Sequence, residues 1–257
     1  MDMTIGLSIG SFLLLLALLV ILRSRNSRFE VKPADIVVAV LPVIVFLLVT
    51  GKLQKFEIGE GGVKIETAFT QAQASAIKSQ VTPLTGLPSE PVRIDLKRGT
   101  EDIPQLIAHK TEGLLFRLGG GNYYGPAIDE YFRLLSRQPF LKYVVLENPD
   151  ETFFAITDAR ELMKLLQSER PPYTANDLAD WLNQGNKSAL GQLPGFIAYS
   201  QAVTTKTDKG QALRRMETLN ADTLPVIDEK QHFAGIVNRS RLTASLLIDM
   251  SENLARE

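Results

Sequence analysis

Two uninterrupted apolar runs open the chain, and shorter alternating or helix-period segments fill the rest. Residues 5–22 (IGLSIGSFLLLLALLVIL) hold no charge over 18 positions, the length that a bilayer-crossing helix needs. No Lys or Arg precedes the run and no small-residue cleavage site follows it, so it reads as a retained anchor and not a cleaved leader. Residues 36–51 form a second, shorter run, flanked by Asp35 and Lys52 and interrupted by Pro42. Beside the first span it predicts a second crossing, kinked at the proline. Neither run carries an ionisable residue, so neither marks a proton or ion path. Gly6 and Gly10 lie one helical turn apart, which permits close helix packing as well as a chance pair.

Residues 53–91 form the expected juxtamembrane region. In KFEIGEGGVKIE (55–66) apolar and charged positions alternate on both sides of a glycine-rich turn, which predicts a small hairpin with one apolar face. In residues 67–81 Phe69, Ala72, Ala76 and Ile77 recur at helical spacing. That narrow stripe of small residues is the candidate oligomerisation contact, with a plain surface helix as the equal alternative. TPLTGLPSEP (82–91) has three prolines and a glycine and reads as a linker.

From residue 92 to 257 strand-like and helix-like segments alternate, which predicts a mixed α/β domain. The strands expected are VRIDL (92–96), GLLFRL, KYVVLE, TFFAIT, TLPVID and HFAGIV. The main helices expected are EDIPQLIAHK, AIDEYFRLLSR, ARELMKLL, NDLADWLNQG, KGQALRRMETL and RSRLTASLLIDM. Residue n laid on n+81 aligns residues 131–166 with a second set. Val145 then falls on Val226, Ile156 on Val237, Arg160 on Arg241, and Leu165 and Leu166 on Leu246 and Leu247. Self-similarity of this kind indicates a repeated structural unit, the second copy covering about 193–250.

Composition narrows the chemistry. The net charge is −1, so no global field recruits nucleic acid. There is no cysteine, which removes disulfides and thiolate metal sites. His109 and His232 have no ligand-spaced partner, and no nucleophile elbow or metal cluster is found. The chain is therefore not expected to be an enzyme. RLGGGNYYGP (117–126) matches neither phosphate-loop pattern and reads as a tight connection.

The segment ALRRMETLNADTLPVIDEKQHFAGIVNRSRL (212–242) resembles the cystathionine-β-synthase (CBS) domain family, with its helix, its Leu224-Pro225-Val226 strand, its acidic turn at Asp228 and its strand led by Gly235. The first copy resembles it more loosely, with Phe154 in the place of the glycine. Residues 92–250 together resemble a CBS pair, the Bateman module. The resemblance implies two β-α units about a pseudo-twofold axis and a cleft between them for an adenine nucleotide. It implies a Thr or Ser near the end of the second strand at phosphate or ribose, and an Asp three residues on at the ribose hydroxyls. In the n+81 frame those positions are Thr157 and Arg160 in the first copy and Asn238 and Arg241 in the second. Arg cannot accept a hydrogen bond but forks well onto phosphate or carboxylate. The two arginines either bind an anionic ligand or pair with Glu147, Asp158 or Glu161 and hold the copies together.

The expectation is a two-helix transmembrane hairpin carrying a mixed α/β CBS-pair-like head. It serves as a membrane-anchored sensor of an anionic ligand, an adenine nucleotide being the first candidate cofactor. Alternatively it is a ligand-free scaffold that oligomerises or holds a membrane or cytoplasmic protein partner. A homo-oligomer is expected. Arg23, Arg25, Arg28 and Lys32 in the loop, against Lys52, Lys55 and Lys64 after the second span, lean by one charge toward an exported head. The family resemblance leans the other way, toward a cytoplasmic head, and is given more weight.

Overall fold

The structure, a computed structural model, describes residues 59–88, 100–120, 123–135 and 137–256. The two apolar runs at 5–22 and 36–51 and the expected strand at 92–96 lie outside the described residues. Among the described residues no helix is long and apolar enough to cross a membrane. The chain divides into two compact units, Ser75–Leu242 on the one hand and Met1–Ala74 with Thr243–Glu257 on the other. The α/β unit thus begins at Ser75, ahead of the expected boundary at 92.

Within Ser75–Leu242, the first copy contains α2 (Ile103–Ala108), β1 (Gly113–Arg117), α3 (Gly125–Leu135), β2 (Tyr143–Glu147), β3 (Phe153–Asp158) and α4 (Ala159–Leu166). The helices α5 (Ala175–Gln184) and α6 (Lys187–Leu190) follow, then β4 (Ile197–Ala198). The second copy contains β5 (Val203–Thr204), α7 (Lys209–Thr218), β6 (Thr223–Ile227), β7 (Phe233–Asn238) and the start of α8 (Arg239–Arg256). The sheets are ordered β1-β2-β3-β4 and β5-β6-β7. In each, a parallel pair (β1 with β2, β5 with β6) precedes an antiparallel hairpin. A parallel pair needs a crossover, which α3 and α7 supply.

Both faces of β2 are buried, which is why its sequence reads as an unbroken apolar run. Val144 and Leu146 point into a core with Phe116, Ile128, Tyr131 and Phe132, whereas Val145 points into a second core with Phe153, Ile156 and Ile227. A third core places Met216, Val226 and Val237 under α7. Helix α5 closes the first core with Leu178 and Leu182 and opens with a capping box, Thr174 to Asp177.

The two copies superpose in register at n+80, one residue short of the spacing expected from the sequence. The pairs Val144↔Thr157 and Leu224↔Val237 are equivalent, and both hairpins break register at the same place, Leu146/Glu147 and Val226/Ile227. The left-handed turn residues are Glu151 and Gln231. Ala159 N–H donates to Lys142 O at 2.9 Å and Arg239 N–H to Asp222 O at 2.8 Å, again the same bond in each copy. A slip of one residue turns every side chain of a strand to the other face. It therefore changes which residues are equivalent: Ala155, not Phe154, matches Gly235; Asp158 matches Asn238; Glu161, not Arg160, matches Arg241.

Equivalent residues also meet each other, as a twofold axis requires. The rings of Phe153 and Phe233 stack at 5.6 Å. Tyr143 Oη lies 3.4 Å from Thr223 Oγ1. Ile156 and Ile236 pack in the same core.

The copies also exchange strands. β4, which leads into the second copy, pairs with β3 of the first through Ile156↔Ile197. Thr82, which leads into the first copy, bridges Ile236 of the second, with N–H to O distances of 2.8 and 2.9 Å. Gly235 is required there: its φ is +142°, and a Cβ would lie 2.5 Å from the Thr82 carbonyl oxygen. The start of the segment expected as a linker is thus fastened to the second copy at Thr82, with Leu84 buried.

The expected hairpin over 55–66 is replaced, from Gly59 onward, by α1 (Gly59–Ala74); residues 55–58 lie outside the described residues. A two-stranded ribbon standing alone is marginal in water, whereas a helix satisfies its own backbone groups. In their unit, Phe69 and Ala72 of α1 form a core with Leu246 and Met250 of α8.

The expected helix over 67–81 ends at Ala74. Ser75 O accepts from Lys209 N–H, Ala76 bridges Asp208, and Ile77 opens a 3-10 turn buried against Val203 and Met216. Phe69, Ala72, Ala76 and Ile77 therefore do not form one helical stripe. Three of the four are buried within their own chain, and Ala76 is exposed on an extended segment.

Candidate functional site: the cleft between the copies

A cleft of about 410 Å³ lies between the copies. The first copy contributes Tyr143, Ile156, Thr157 and Asp158; the second contributes residues 219–223 and Pro225; Gly195, Phe196, Ile197 and Gln201 line it from the crossing segment. Its volume falls within the range of small-molecule sites, on the order of 300–1,000 Å³.

The local sequence explains each wall. Asp158 ends β3 and begins α4, so its Oδ1 accepts from the N–H groups of Arg160 (2.8 Å) and Glu161 (2.9 Å), a helix N-cap. Gly195, with φ +65°, lets the chain pass close to Asp158, where a Cβ on residue 195 would lie 3.0 Å from the Asp158 Cβ and where Asp158 N–H donates to Pro194 O. Phe196 is set edge-on against Phe154, 5.7 Å between ring centres, and Lys187 Nζ lies over the Phe154 ring, 5.2 Å from its centre. Gln201 Oε1 accepts from Ala198 N–H and so holds the crossing segment at its turn.

Of the four residues expected at a ligand, only Thr157 lines this cleft, and it is fully buried with its hydroxyl donating to Pro194 O. Arg160 turns back along its own copy and donates to the carbonyls of Pro139 and Leu141. Asn238 caps α8, its Oδ1 accepting from Ser240 N–H at 3.0 Å and from Ser240 Oγ at 2.6 Å. Arg241 donates to Thr82 Oγ1. The two arginines do not converge on one cleft, and neither pairs with Glu147, Asp158 or Glu161. Glu147 is held by Arg117 at 3.2 Å, and Glu161 by Lys164 at 2.6 Å. Burial pushes the Glu147 carboxyl above its ordinary range, although Arg117 opposes the shift.

The charged side chains that do line the cleft are Asp158 and Asp222. Both were legible as acids, but neither stood out, because the n+81 frame put Thr157 in the place that Asp158 holds. The matched turns, Asn148 to Glu151 and Asp228 to Gln231, carry the signal for the n+80 frame: each opens on a helix-avoiding Asn or Asp and closes on a left-handed residue. Among the described residues no group of acids and histidines is placed to hold a metal ion.

No family model matches the chain, and no curated protein matches it. Solved structures do. A CBS domain pair/ACT domain protein from Thermotoga maritima is similar at 11% identity over 68% of this chain and 98% of that one, with a TM-score of 0.34. CBSX2 in complex with AMP is similar at 12% identity, 67% and 97% coverage and a TM-score of 0.37. The cytosolic domain of the Mg2+ channel MgtE in complex with ATP is similar at 19% identity, 52% and 44% coverage and a TM-score of 0.33. Overlaps this partial decide neither membership nor ligand; the n+80 symmetry and the exchanged strands are properties of this chain itself.

Proposed function

We propose that this chain is a membrane-anchored regulatory module of the CBS-pair type, whose inter-copy cleft takes an adenosine-bearing ligand. The observation that carries the proposal is the cleft itself. Its walls come from both copies and meet where Tyr143 faces its symmetry mate Thr223. A ligand there touches both halves at once, so it has differential affinity for any change in their packing, which is what regulation by a ligand requires. The adenosine class comes from the sequence resemblance. In the n+80 frame the first copy keeps an acid, Glu161, at the position where the family holds the ribose hydroxyls, and only the second copy has Arg241 there; Glu161 is held by Lys164, and the acid of that turn which lines the cleft is Asp158. The apolar runs at 5–22 and 36–51 supply the anchor, with the head in the cytoplasm and the chain as a homo-oligomer. No catalytic role is assigned.

A second function, a ligand-free scaffold, is favoured by one observation: Thr157, Arg160, Asn238 and Arg241 are all engaged in bonds within the chain. A thermal-shift screen of the full chain in mild detergent separates the two. Adenosine, AMP, ADP and ATP are tested, and a binder at about 100 times its Kd adds about 2.7 kcal/mol of stability. No shift with any of the four makes the scaffold the better account.

A further inference from the structure

We propose that the cleft selects the uncharged nucleoside over its phosphorylated forms. The inference rests on the cleft being the ligand site. Its fourteen lining residues include no Lys, Arg or His, and their only charges are the carboxylates of Asp158 and Asp222.

The N-terminus of a helix is where a phosphate is ordinarily received, because its free N–H groups and dipole favour an anion. At α4 that place is already filled by the chain's own carboxylate. Asp158 Oδ1 takes the N–H groups of Arg160 and Glu161. Among the described residues Asp158 has no ion-pair partner, for Lys164, the nearby ammonium, is bound to Glu161 at 2.6 Å. Asp222, at the rim, lies 3.4 Å from Arg239, whose guanidinium also donates to Ala221 O. A phosphate entering the cleft therefore meets a carboxylate with no ion-pair partner inside and an ion-paired one at the rim. The neutral parts of a nucleoside meet the opposite situation. Ribose hydroxyls and an exocyclic amine donate hydrogen bonds, and a carboxylate accepts them at roughly twice the strength of a neutral acceptor. Tyr143, Phe196, Ile156 and Ile197 supply the apolar surface that a base needs.

The twin position shows that the charge is separable from the fold. Asn238 caps α8 as Asp158 caps α4, at the equivalent residue and with a neutral amide. Asn and Asp are comparable N-caps, so Asp158→Asn removes the charge and keeps the cap.

The test is isothermal titration of the full chain in detergent with adenosine and with AMP at low ionic strength. Adenosine is expected to bind at least about tenfold more tightly, and Asp158→Asn to cut that ratio to below about threefold. Circular dichroism controls for folding, and Asp222→Asn provides a second variant that narrows the gap by a smaller factor. AMP binding as tightly as adenosine to the natural chain overturns the selectivity and leaves the cleft as a nucleotide site. A gap that persists in both variants overturns the assignment to these carboxylates. Binding of neither compound overturns the ligand site itself.

Discussion

Glu112 shows how a single exposed-looking acid acquires a structural task. Its carboxylate accepts from Thr85 N–H at 3.1 Å and from Lys142 Nζ at 2.6 Å, and its own backbone N–H donates to Thr85 O. It fastens the segment entering the first copy to the start of β1 and to the residue before β2. Burial pushes its pKa up, but the hydrogen bonds from Lys142 and Thr85 and the charge of Lys142 outweigh burial and hold it below its usual value of 4.5. A carboxyl whose folded pKa is depressed stabilises the fold above its unfolded pKa and loses that contribution as pH falls through the folded one. Glu112→Gln should therefore lower the unfolding free energy at pH 7, by about 1 kcal/mol or somewhat more for a charge-assisted bond. The difference should start to close as the pH falls below about 4 and vanish below the depressed folded pKa, where the natural carboxyl is also neutral. Urea titrations at pH 7 and at about pH 3 measure both; an equal difference at the two values would show that the loss is packing and not charge.

At the level of elements, the exchange of leading strands decides how the two copies depend on each other. β4 completes the sheet of the first copy, and the Thr82 bridge extends the hairpin of the second. Gly235 is a point of close approach, with backbone of Thr82 and Pro83 within 2.5–3.1 Å of where a Cβ would stand. The twin, Ala155, carries its methyl group into the first core without such a contact. Gly235→Ala should cost at least about 2 kcal/mol, from backbone strain together with displacement of the bridging strand. The amides of Thr82 and Ile236 should lose hydrogen-exchange protection ahead of the β2–β3 hairpin. Uniform loss across both copies would mean that the bridge is not a local weak point. The proposed hairpin at 55–66 and the oligomer stripe belong to this scale too. From Gly59 onward the pattern gives way to α1, whose Phe69 and Ala72 bury against α8, while Ala76 and Ile77 lie beyond the end of that helix.

For the whole molecule the open relation is to the bilayer. The apolar runs at 5–22 and 36–51 are proposed to carry the anchor, and the basic residues divide four to three between the intervening loop and the stretch after it. The module is proposed to face the cytoplasm. A fluorescent protein fused after Glu257 that folds only in the cytoplasm should light up, and a phosphatase active only outside it should stay silent. The reverse pattern would place the head outside, away from the cellular pool of adenosine compounds, and leave the scaffold as the function.

The order of the longer strands and helices from residue 100 onward, the existence of a repeat and the turns that bound it were readable from hydrophobic periodicity, because period and turn chemistry are local properties of a chain. The repeat's register was not. Helices α3 and α7 are followed by connections of different length, so a gapless alignment through them carries a one-residue error into the strands, where each residue changes face. Only pairing between strands removes that error: the shared break at Leu146/Glu147 and Val226/Ile227 and the Phe153–Phe233 stack. The same holds for the site. Sequence identified arginines fit for phosphate, but what a guanidinium binds depends on which carbonyls the fold leaves within its reach. For Arg160 those are Pro139 and Leu141. The charge left facing the cleft is therefore that of Asp158 and Asp222, a fact set by tertiary geometry because it depends on which side chains are already satisfied.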